Sequence, residues 1–165
     1  MFSRNNNLLL AFLRDHNTAR SVLDVFNDLY AMFGRETYCR LFPVILTDRG
    51  SEFSNPVPIE QDENDELRSL VFYCNPSAPY QKGGIEVAHE LVRRVLPKGK
   101  SFDDLQQEDI DLMLSHINSY KRGKLNSRSA YQLFNFIYGD DILPKLNIRE
   151  IEANDIVLSP KLLKK

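Results

Sequence analysis

Two carboxylates stand where a metal-dependent reaction needs them. Asp48 directly follows the short apolar run Val44–Thr47, and Glu86 follows the pair Gly83-Gly84 at the start of an amphipathic segment. Ligand sites of α/β sheets concentrate at the carboxyl ends of strands. Hard oxygen ligands bind Mg²⁺, and paired metal ions activate the nucleophile and stabilise the leaving oxygen in phosphoryl transfer. The placement predicts a shared metal site; the alternative is a turn aspartate and a solvent-facing glutamate.

The segment after Glu86 has helical spacing. Glu86, His89, Glu90 and Arg93 follow i, i+3, i+4, i+7 spacing and therefore share one helix face. His89 on that face either lies near the metal or hydrogen-bonds a neighbour.

Basic side chains are concentrated in two places, although the net charge is −2. The first group surrounds the glutamate helix and the second lies in a later loop: Lys82, Arg93, Arg94, Lys98 and Lys100, then Lys121, Arg122, Lys124 and Arg128. The balance excludes a uniformly basic coat, so any contact with nucleic acid is local. The groups are predicted to contact DNA phosphates; the alternative is an ordinary solvated face.

The composition is that of a single domain with a core: 165 residues, 42% hydrophobic and 27% charged. No apolar run has the length of a membrane span, so no membrane partner is expected. Cys39 and Cys74 are too few for a disulfide framework or a zinc site. We therefore expect a reduced, intracellular protein.

The elements before the glutamate helix predict a small sheet. Three apolar runs are expected to be strands: Leu8–Leu13 and Val44–Thr47, both expected to be buried, and Leu70–Tyr73. Between the first two, apolar spacing predicts a helix over Ala19–Phe33, capped by Asn17 or Thr18 and ended by Gly34. The acidic, proline-containing stretch 55–69 is expected to be a surface insertion.

The second half is predicted to be helical. The glutamate helix ends before Pro97, and Ser101–Asp104 is expected to open the next helix as a capping box. The final helix, with Ala130, Leu133, Phe134 and Ile137 inside, is expected to end at Gly139. An extended tail, 140–165, is anchored by Ile148, Ile151, Ile156 and Leu158. The fold class is therefore α/β with helices after the sheet.

Four segments resemble motifs of the DDE transposase and integrase superfamily. Leu46–Phe53, LTDRGSEF, resembles its T-D-N-G-x-E-F signature, and Tyr73–Gly83 followed by Glu86 resembles its P-x-S-P-x-Q-K/R-G-x-x-E-N segment. Arg93–Gly99 resembles the R-x-x-F-P-K-G-T segment of one bacterial insertion-sequence branch. Leu125–Phe134 resembles that branch's closing motif, with a shortened middle.

The resemblance implies an RNase H-like integrase catalytic core over residues 1–139. Asp48 matches the second catalytic aspartate and Glu86 the catalytic glutamate, with 37 residues between them. The implied cofactor is Mg²⁺ or Mn²⁺, held by these two residues, and the implied partners are transposon ends and target DNA. The implied reaction is phosphodiester cleavage followed by strand transfer.

The sequence departs from the family pattern in three ways. The first catalytic aspartate belongs to a strand upstream of Leu8–Leu13, so we expect an amino-truncated core with a reduced mixed sheet, inactive by itself. Arg49 and Val87 stand where the family has asparagine. The Arg49 charge opposes a metal ion there, unless the side chain points away and pairs with an acid.

The missing strand leaves an unpaired edge. Either Leu8–Leu13 pairs directly with Val44–Thr47, or that edge binds a second copy or a full-length transposase. The alternative function is a non-catalytic protein that binds DNA or pairs with a transposase. A third reading is a helical interaction module built from residues 101–165.

Overall fold

The computed structural model describes residues 1–75 and 84–163. The chain divides into two compact units. One is Arg14–Lys82, and the other combines Met1–Leu13 with Gly83–Lys165. The domain boundary predicted at residue 139 stays a prediction.

Helix α1, Ala19–Leu41, opens the first unit. The Thr18 hydroxyl accepts the Ser21 N–H at 3.2 Å, which confirms the predicted cap. The predicted apolar positions are buried: Val22, Phe26, Leu29 and Phe33.

The end of α1 differs from the prediction. Gly34 has non-helical angles, yet a second helical stretch continues to Leu41, so the predicted end at Phe33 is wrong for the whole element. The continuation buries Tyr38 completely, with its ring 5.2 Å from that of Tyr30 and 5.1 Å from that of Phe42. Aromatic packing thus favours a second helical segment that a glycine signal alone does not reveal.

The sheet of this unit contains strands β1, Val44–Thr47, and β2, Leu70–Tyr73. They pair in parallel with Val44 opposite Leu70, which confirms both predicted strands. The burial predicted for β1 is wrong on one face. One face of the pair leaves four large side chains exposed: Val44, Leu46, Leu70 and Phe72. Alternate strand residues point to opposite faces, so this face is an apolar surface.

The remaining predicted strand, Leu8–Leu13, is wrong. Leu8, Leu9 and Leu10 are buried as expected, but Leu9 forms only an isolated bridge with Phe2. Among residues 1–75 and 84–163, the sheet consists of β1 and β2 alone, so Leu8–Leu13 is not one of its strands. Side chains of a helix in its own unit instead hydrogen-bond the backbone of Leu9, Ala11 and Leu13.

The acidic stretch 55–69 is more than a surface insertion. It contains helix α2, Val57–Glu60, and it buries Ile59, Arg68 and Ser69. The Arg68 guanidinium donates to the carbonyls of Ile59 at 3.1 Å and Pro58 at 2.7 Å. Because these bonds satisfy the buried charge, the stretch belongs to the core of its unit.

The other unit is largely helical. Its helices are α3 Ile85–Val95, α4 Gln107–Ser119, α5 Ala130–Tyr138 and α6 Ile142–Lys145. The predicted capping box at Ser101 is wrong, because the Ser101 hydroxyl bonds Asp103 within a local turn. Helix α4 begins later, where the Asp109 carboxylate accepts the Gln106 N–H at 2.9 Å.

The end of the chain agrees with the prediction in part. Ala130 and Phe134 are buried and Leu133 is half-buried, but Ile137 is 49% exposed, so its predicted inward position is wrong. Gly139 ends α5 as expected. The tail opens with α6 and continues mostly as irregular chain. In it Ile148 is buried, and the other predicted anchors are half-buried: Ile151, Ile156 and Leu158.

Candidate functional site

Asp48 lies directly after β1, as predicted. Its carboxylate oxygen Oδ1 accepts the Gly50 N–H at 3.3 Å, and the side chain is exposed. A short helical turn follows at Ser51–Phe53, and the Tyr73 hydroxyl donates to the Phe53 carbonyl. The turn therefore holds Asp48 at the carboxyl end of a parallel strand pair, where ligand sites of α/β sheets concentrate.

Arg49 is exposed beside Asp48. Within the two ranges that the structure describes, its guanidinium takes part in no ion pair. The alternative that Arg49 pairs with an acid finds no support in these ranges. Its charge remains next to the position expected for a metal ion.

Glu86 lies in the first turn of α3 and is exposed. A negative charge there interacts favourably with the positive end of the helix dipole. The predicted polar face is confirmed, since Glu86, His89, Glu90 and Arg93 are all exposed. The opposite face packs inward through Ala88, Leu91 and Val95.

The two carboxylates belong to different units, Asp48 to Arg14–Lys82 and Glu86 to the other. Their sharing of a metal ion therefore stays a prediction. Among residues 1–75 and 84–163, no group of three or more His, Cys, Asp and Glu side chains is placed to hold a metal ion. The pair by itself supplies two hard oxygen ligands for Mg²⁺, which prefers octahedral coordination.

The basic residues around α3 are exposed: Arg93, Arg94, Lys98 and Lys100. Arg94 pairs with Glu90 at 2.8 Å, one turn earlier, which neutralises part of its charge. Arg93, Lys98 and Lys100 form no ion pair within the described residues. Lys82 lies outside the described residues.

The second basic group is less uniform. Lys121, Lys124 and Arg128 are exposed, whereas Arg122 is half-buried. The Arg122 guanidinium donates to the Ile117 carbonyl at 3.5 Å, and burial lowers its pKa from the ordinary value. Arg122 therefore helps hold its loop against α4, and the three exposed residues remain better placed for phosphates.

A cavity that the sequence did not reveal opens beside the first basic group. It has a volume of about 320 Å³ and lies at the end of α3 and in the loop that follows. Its apolar walls come from Val92, Leu96, Pro97 and Phe102, and its polar walls from His89, Arg93, Lys98 and Lys100. The available signal was Phe102, an aromatic residue within a polar stretch, which sequence reasoning assigned to a capping box.

No helix in the described ranges is long and apolar enough to cross a membrane.

Comparison with known proteins finds transposases and an integrase. Over 120 residues, 73% of this chain, it is 30% identical to a protein of Spiroplasma virus SpV1-R8A2 B named as an integrase, ORF3. It is 35% identical over 63 residues, 38% of the chain, to the transposase for insertion sequence element IS1086 of Cupriavidus metallidurans. It is 27% identical over 94 residues, 57% of the chain, to the transposase for IS4351 of Bacteroides fragilis.

These matches cover a minor part of each relative. The aligned parts span 35% of the viral protein, 19% of the IS1086 transposase and 28% of the IS4351 transposase. No family model and no solved structure matches the chain.

Proposed function

Because this chain is a relative of insertion-sequence transposases and integrases, we propose that it is part of the catalytic core of a DNA transposase. The core would have RNase H-like ancestry. The observation that carries the proposal is the similarity over 120 residues, together with Asp48 at the end of β1 and Glu86 in the first turn of α3. Its substrate would be the transposon end, and target DNA its second substrate.

In this role Asp48 and Glu86 are two of three carboxylates that hold Mg²⁺ or Mn²⁺. The metal supplies an activated nucleophile and charge stabilisation at the leaving oxygen. The four motifs that resemble the family supply counterparts for these two carboxylates and none for the third. Two ligands leave the metal ion under-coordinated, so the chain by itself is expected to have no measurable strand-transfer activity.

Strand transfer by the purified chain on supercoiled DNA with Mn²⁺ tests this expectation. We expect no joined product. Metal-dependent joining that disappears in Asp48→Asn would show that the chain is active alone and that Asp48 is catalytic.

Metal binding gives a readout that does not depend on activity. Mn²⁺ titrated into the protein and followed by electron paramagnetic resonance should show weak binding that Asp48→Asn and Glu86→Gln each abolish. Glu63→Gln is the matched control, because Glu63 is an exposed acid remote in sequence from both motifs. Equal binding by all four proteins would contradict a role for either carboxylate.

A second candidate function is binding of DNA without catalysis. It is favoured by Arg93, Lys98 and Lys100, whose charges are exposed and form no ion pair within the described residues. Each phosphate contact adds about 0.9 to the slope of log affinity against log salt. Replacing both lysines with glutamine should therefore weaken duplex binding and lower that slope, whereas the exposed control Lys161→Gln should leave both unchanged.

The non-catalytic alternative also includes pairing with another protein chain, which is independent of DNA binding. The exposed face of Val44, Leu46, Leu70 and Phe72 carries no charge and is therefore complementary to a second copy of itself. Light scattering should show association that Leu46→Thr with Phe72→Thr removes. A monomer at all concentrations would contradict pairing through this face and leave the DNA-binding candidate intact.

A further inference from the structure

Phe102 presents an aromatic ring to solvent at the rim of a cavity. The residue is 55% exposed and lines the cavity of about 320 Å³ with Val92, Leu96 and Pro97. This volume is at the lower end of the range for small-molecule sites. An exposed aromatic ring beside apolar wall residues is a surface on which a flat, uncharged ring can stack.

The charge around the cavity has one sign. Arg93, Lys98 and Lys100 line it, and none is engaged in an ion pair within the described ranges. The nearest acids in sequence to Phe102 are Asp103 and Asp104, and neither lines the cavity. The Asp103 carboxylate instead accepts the Ser101 hydroxyl at 2.6 Å. The three basic side chains therefore favour an anion, whereas the apolar wall residues favour an apolar ring.

The backbone places Lys98 and Lys100 on either side of Gly99 in one tight turn. The Lys100 N–H donates to the Pro97 carbonyl at 3.3 Å, and Gly99 has φ of +88°. That angle at the third position of a turn favours glycine. The turn also follows α3 directly, because Pro97 cannot continue the helix. Lys98 and Lys100 are thereby held beside the last turn of α3, which carries Arg93.

We propose that this cavity binds an unpaired nucleotide of DNA. The base stacks on Phe102 over Val92, Leu96 and Pro97, and the flanking phosphates contact Arg93, Lys98 and Lys100. His89 at the cavity wall offers a ring nitrogen to the edge of the base. This inference rests on the proposed function and adds to it, since contact with duplex phosphates alone requires neither a cavity nor an aromatic ring.

The class of ligand follows from the presence of basic and apolar side chains in the same cavity. A free phosphate would contact the basic side chains and not the apolar wall residues. An uncharged apolar ligand would contact the apolar wall residues and not the basic side chains. A strand with one unstacked base uses both, because each base has a face for stacking and each linkage has a negative charge.

The test compares three DNA molecules by fluorescence anisotropy with the full chain. They are a blunt duplex, the same duplex with a short single-stranded extension, and that extension with its bases replaced by abasic sites. Stacking on one aromatic ring is worth enough to change affinity by about five-fold or more. We expect the extension with bases to bind at least that much more tightly than the abasic extension.

The variants separate the base contact from the phosphate contacts. Phe102→Ala should reduce binding of the extension to the abasic level, and Phe102→Tyr should retain the preference. Phe136→Ala is the matched control, because Phe136 is 82% exposed on α5 and does not line the cavity. Arg93→Gln should weaken binding of all three DNA molecules.

The outcomes distinguish this inference from the proposed function. Binding of all three molecules with equal affinity would overturn the nucleotide pocket and leave a DNA-binding core. No binding of any DNA at low salt would overturn both. A preference for bases that persists in Phe102→Ala would place the unpaired base elsewhere on the protein.

Discussion

The Asn118 carboxamide forms both backbone hydrogen bonds of Leu9. Its Oδ1 accepts the Leu9 N–H at 2.9 Å, and its Nδ2 donates to the Leu9 carbonyl at 2.8 Å. Gln107, on the same helix, accepts the Leu13 N–H at 2.9 Å and donates to the Ala11 carbonyl at 3.2 Å. Two side-chain amides of α4 thus supply the bonds that a neighbouring strand usually supplies.

Side chains of α4 also form hydrogen bonds with the backbone of the tail. The hydroxyls of Ser115 and Ser119 accept the N–H groups of Arg149 at 3.1 Å and Ile151 at 2.9 Å. Helix α4 therefore satisfies the backbone of an extended segment from each end of the chain. These bonds account for three buried polar residues of α4 that its apolar face does not explain: Ser115, Asn118 and Ser119.

Asn118→Ala should destabilise the protein by at least about 2 kcal/mol. It leaves the buried N–H and carbonyl of Leu9 unpaired, and each such group costs about 1–3 kcal/mol. Urea unfolding measures the loss, with exposed Asn154→Ala as a near-neutral control. Wild-type stability in Asn118→Ala, with the Leu9 amide still protected from hydrogen exchange, would contradict this role.

His116 should make stability depend on pH. Its Nδ1 accepts the Val157 N–H at 3.1 Å, and its pKa is lowered from 6.5, mainly by burial and then by the nearby Arg149 charge. The unfolded chain takes up a proton below about pH 6.5, whereas the folded chain resists it. The free energy of unfolding should therefore fall as pH drops from about 6.5 through the lower pKa of the folded state.

Unfolding measured from about pH 8 to pH 5 tests this dependence. His116→Ala should be less stable at neutral pH and lose this part of the slope. His89→Ala is the control, because His89 is an exposed histidine. A slope unchanged in His116→Ala would assign the pH dependence to another group.

Asp62 should make the free energy of unfolding depend on pH in the acid range. Its Oδ2 accepts the Tyr30 hydroxyl at 2.7 Å and the Arg35 guanidinium at 2.9 Å, and its Oδ1 accepts the N–H groups of Asn64 and Glu66. The pKa of Asp62 is lowered, chiefly by the Tyr30 bond. Its stabilising contribution is present above the unfolded pKa, near 3.8, and is lost as pH falls through the folded value.

Asp62→Asn should accordingly destabilise the protein at neutral pH, and the difference from wild type should narrow in acid. Glu63→Gln is the neighbouring control, because that acid is exposed. Carboxyl titration by nuclear magnetic resonance reports the pKa directly. An ordinary pKa for Asp62 would show that the loop is not held by its carboxylate.

Gly84→Ala should cost about 1–3 kcal/mol, the usual range for a strained backbone. Gly84 has φ of +93°, and an added Cβ would lie 3.0 Å from the Phe2 ring. Gly123→Ala is the matched control, since nothing lies within 4 Å of its Cβ position. Thermal unfolding should separate the two variants, and equal melting temperatures would contradict the strain.

The family relationship was predictable because its motifs are local in sequence. The segments around Asp48, Glu86 and Arg93 resembled transposase motifs, and relatives with those names match the chain. Strands β1 and β2 and most of α1 were predictable for the same reason, since caps and apolar spacing are local signals.

The sequence by itself determined the ancestry, the position of Asp48 after a strand, and the polar face that carries Glu86. Tertiary structure alone decided the pairing of Leu9 with Asn118, which are 109 residues apart. It also decided the cavity beside Phe102, where a turn brings side chains from a helix and a loop together. The reason is physical: periodicity records which side chains are buried, whereas the bonding partner of a buried backbone group depends on which distant side chain packs against it.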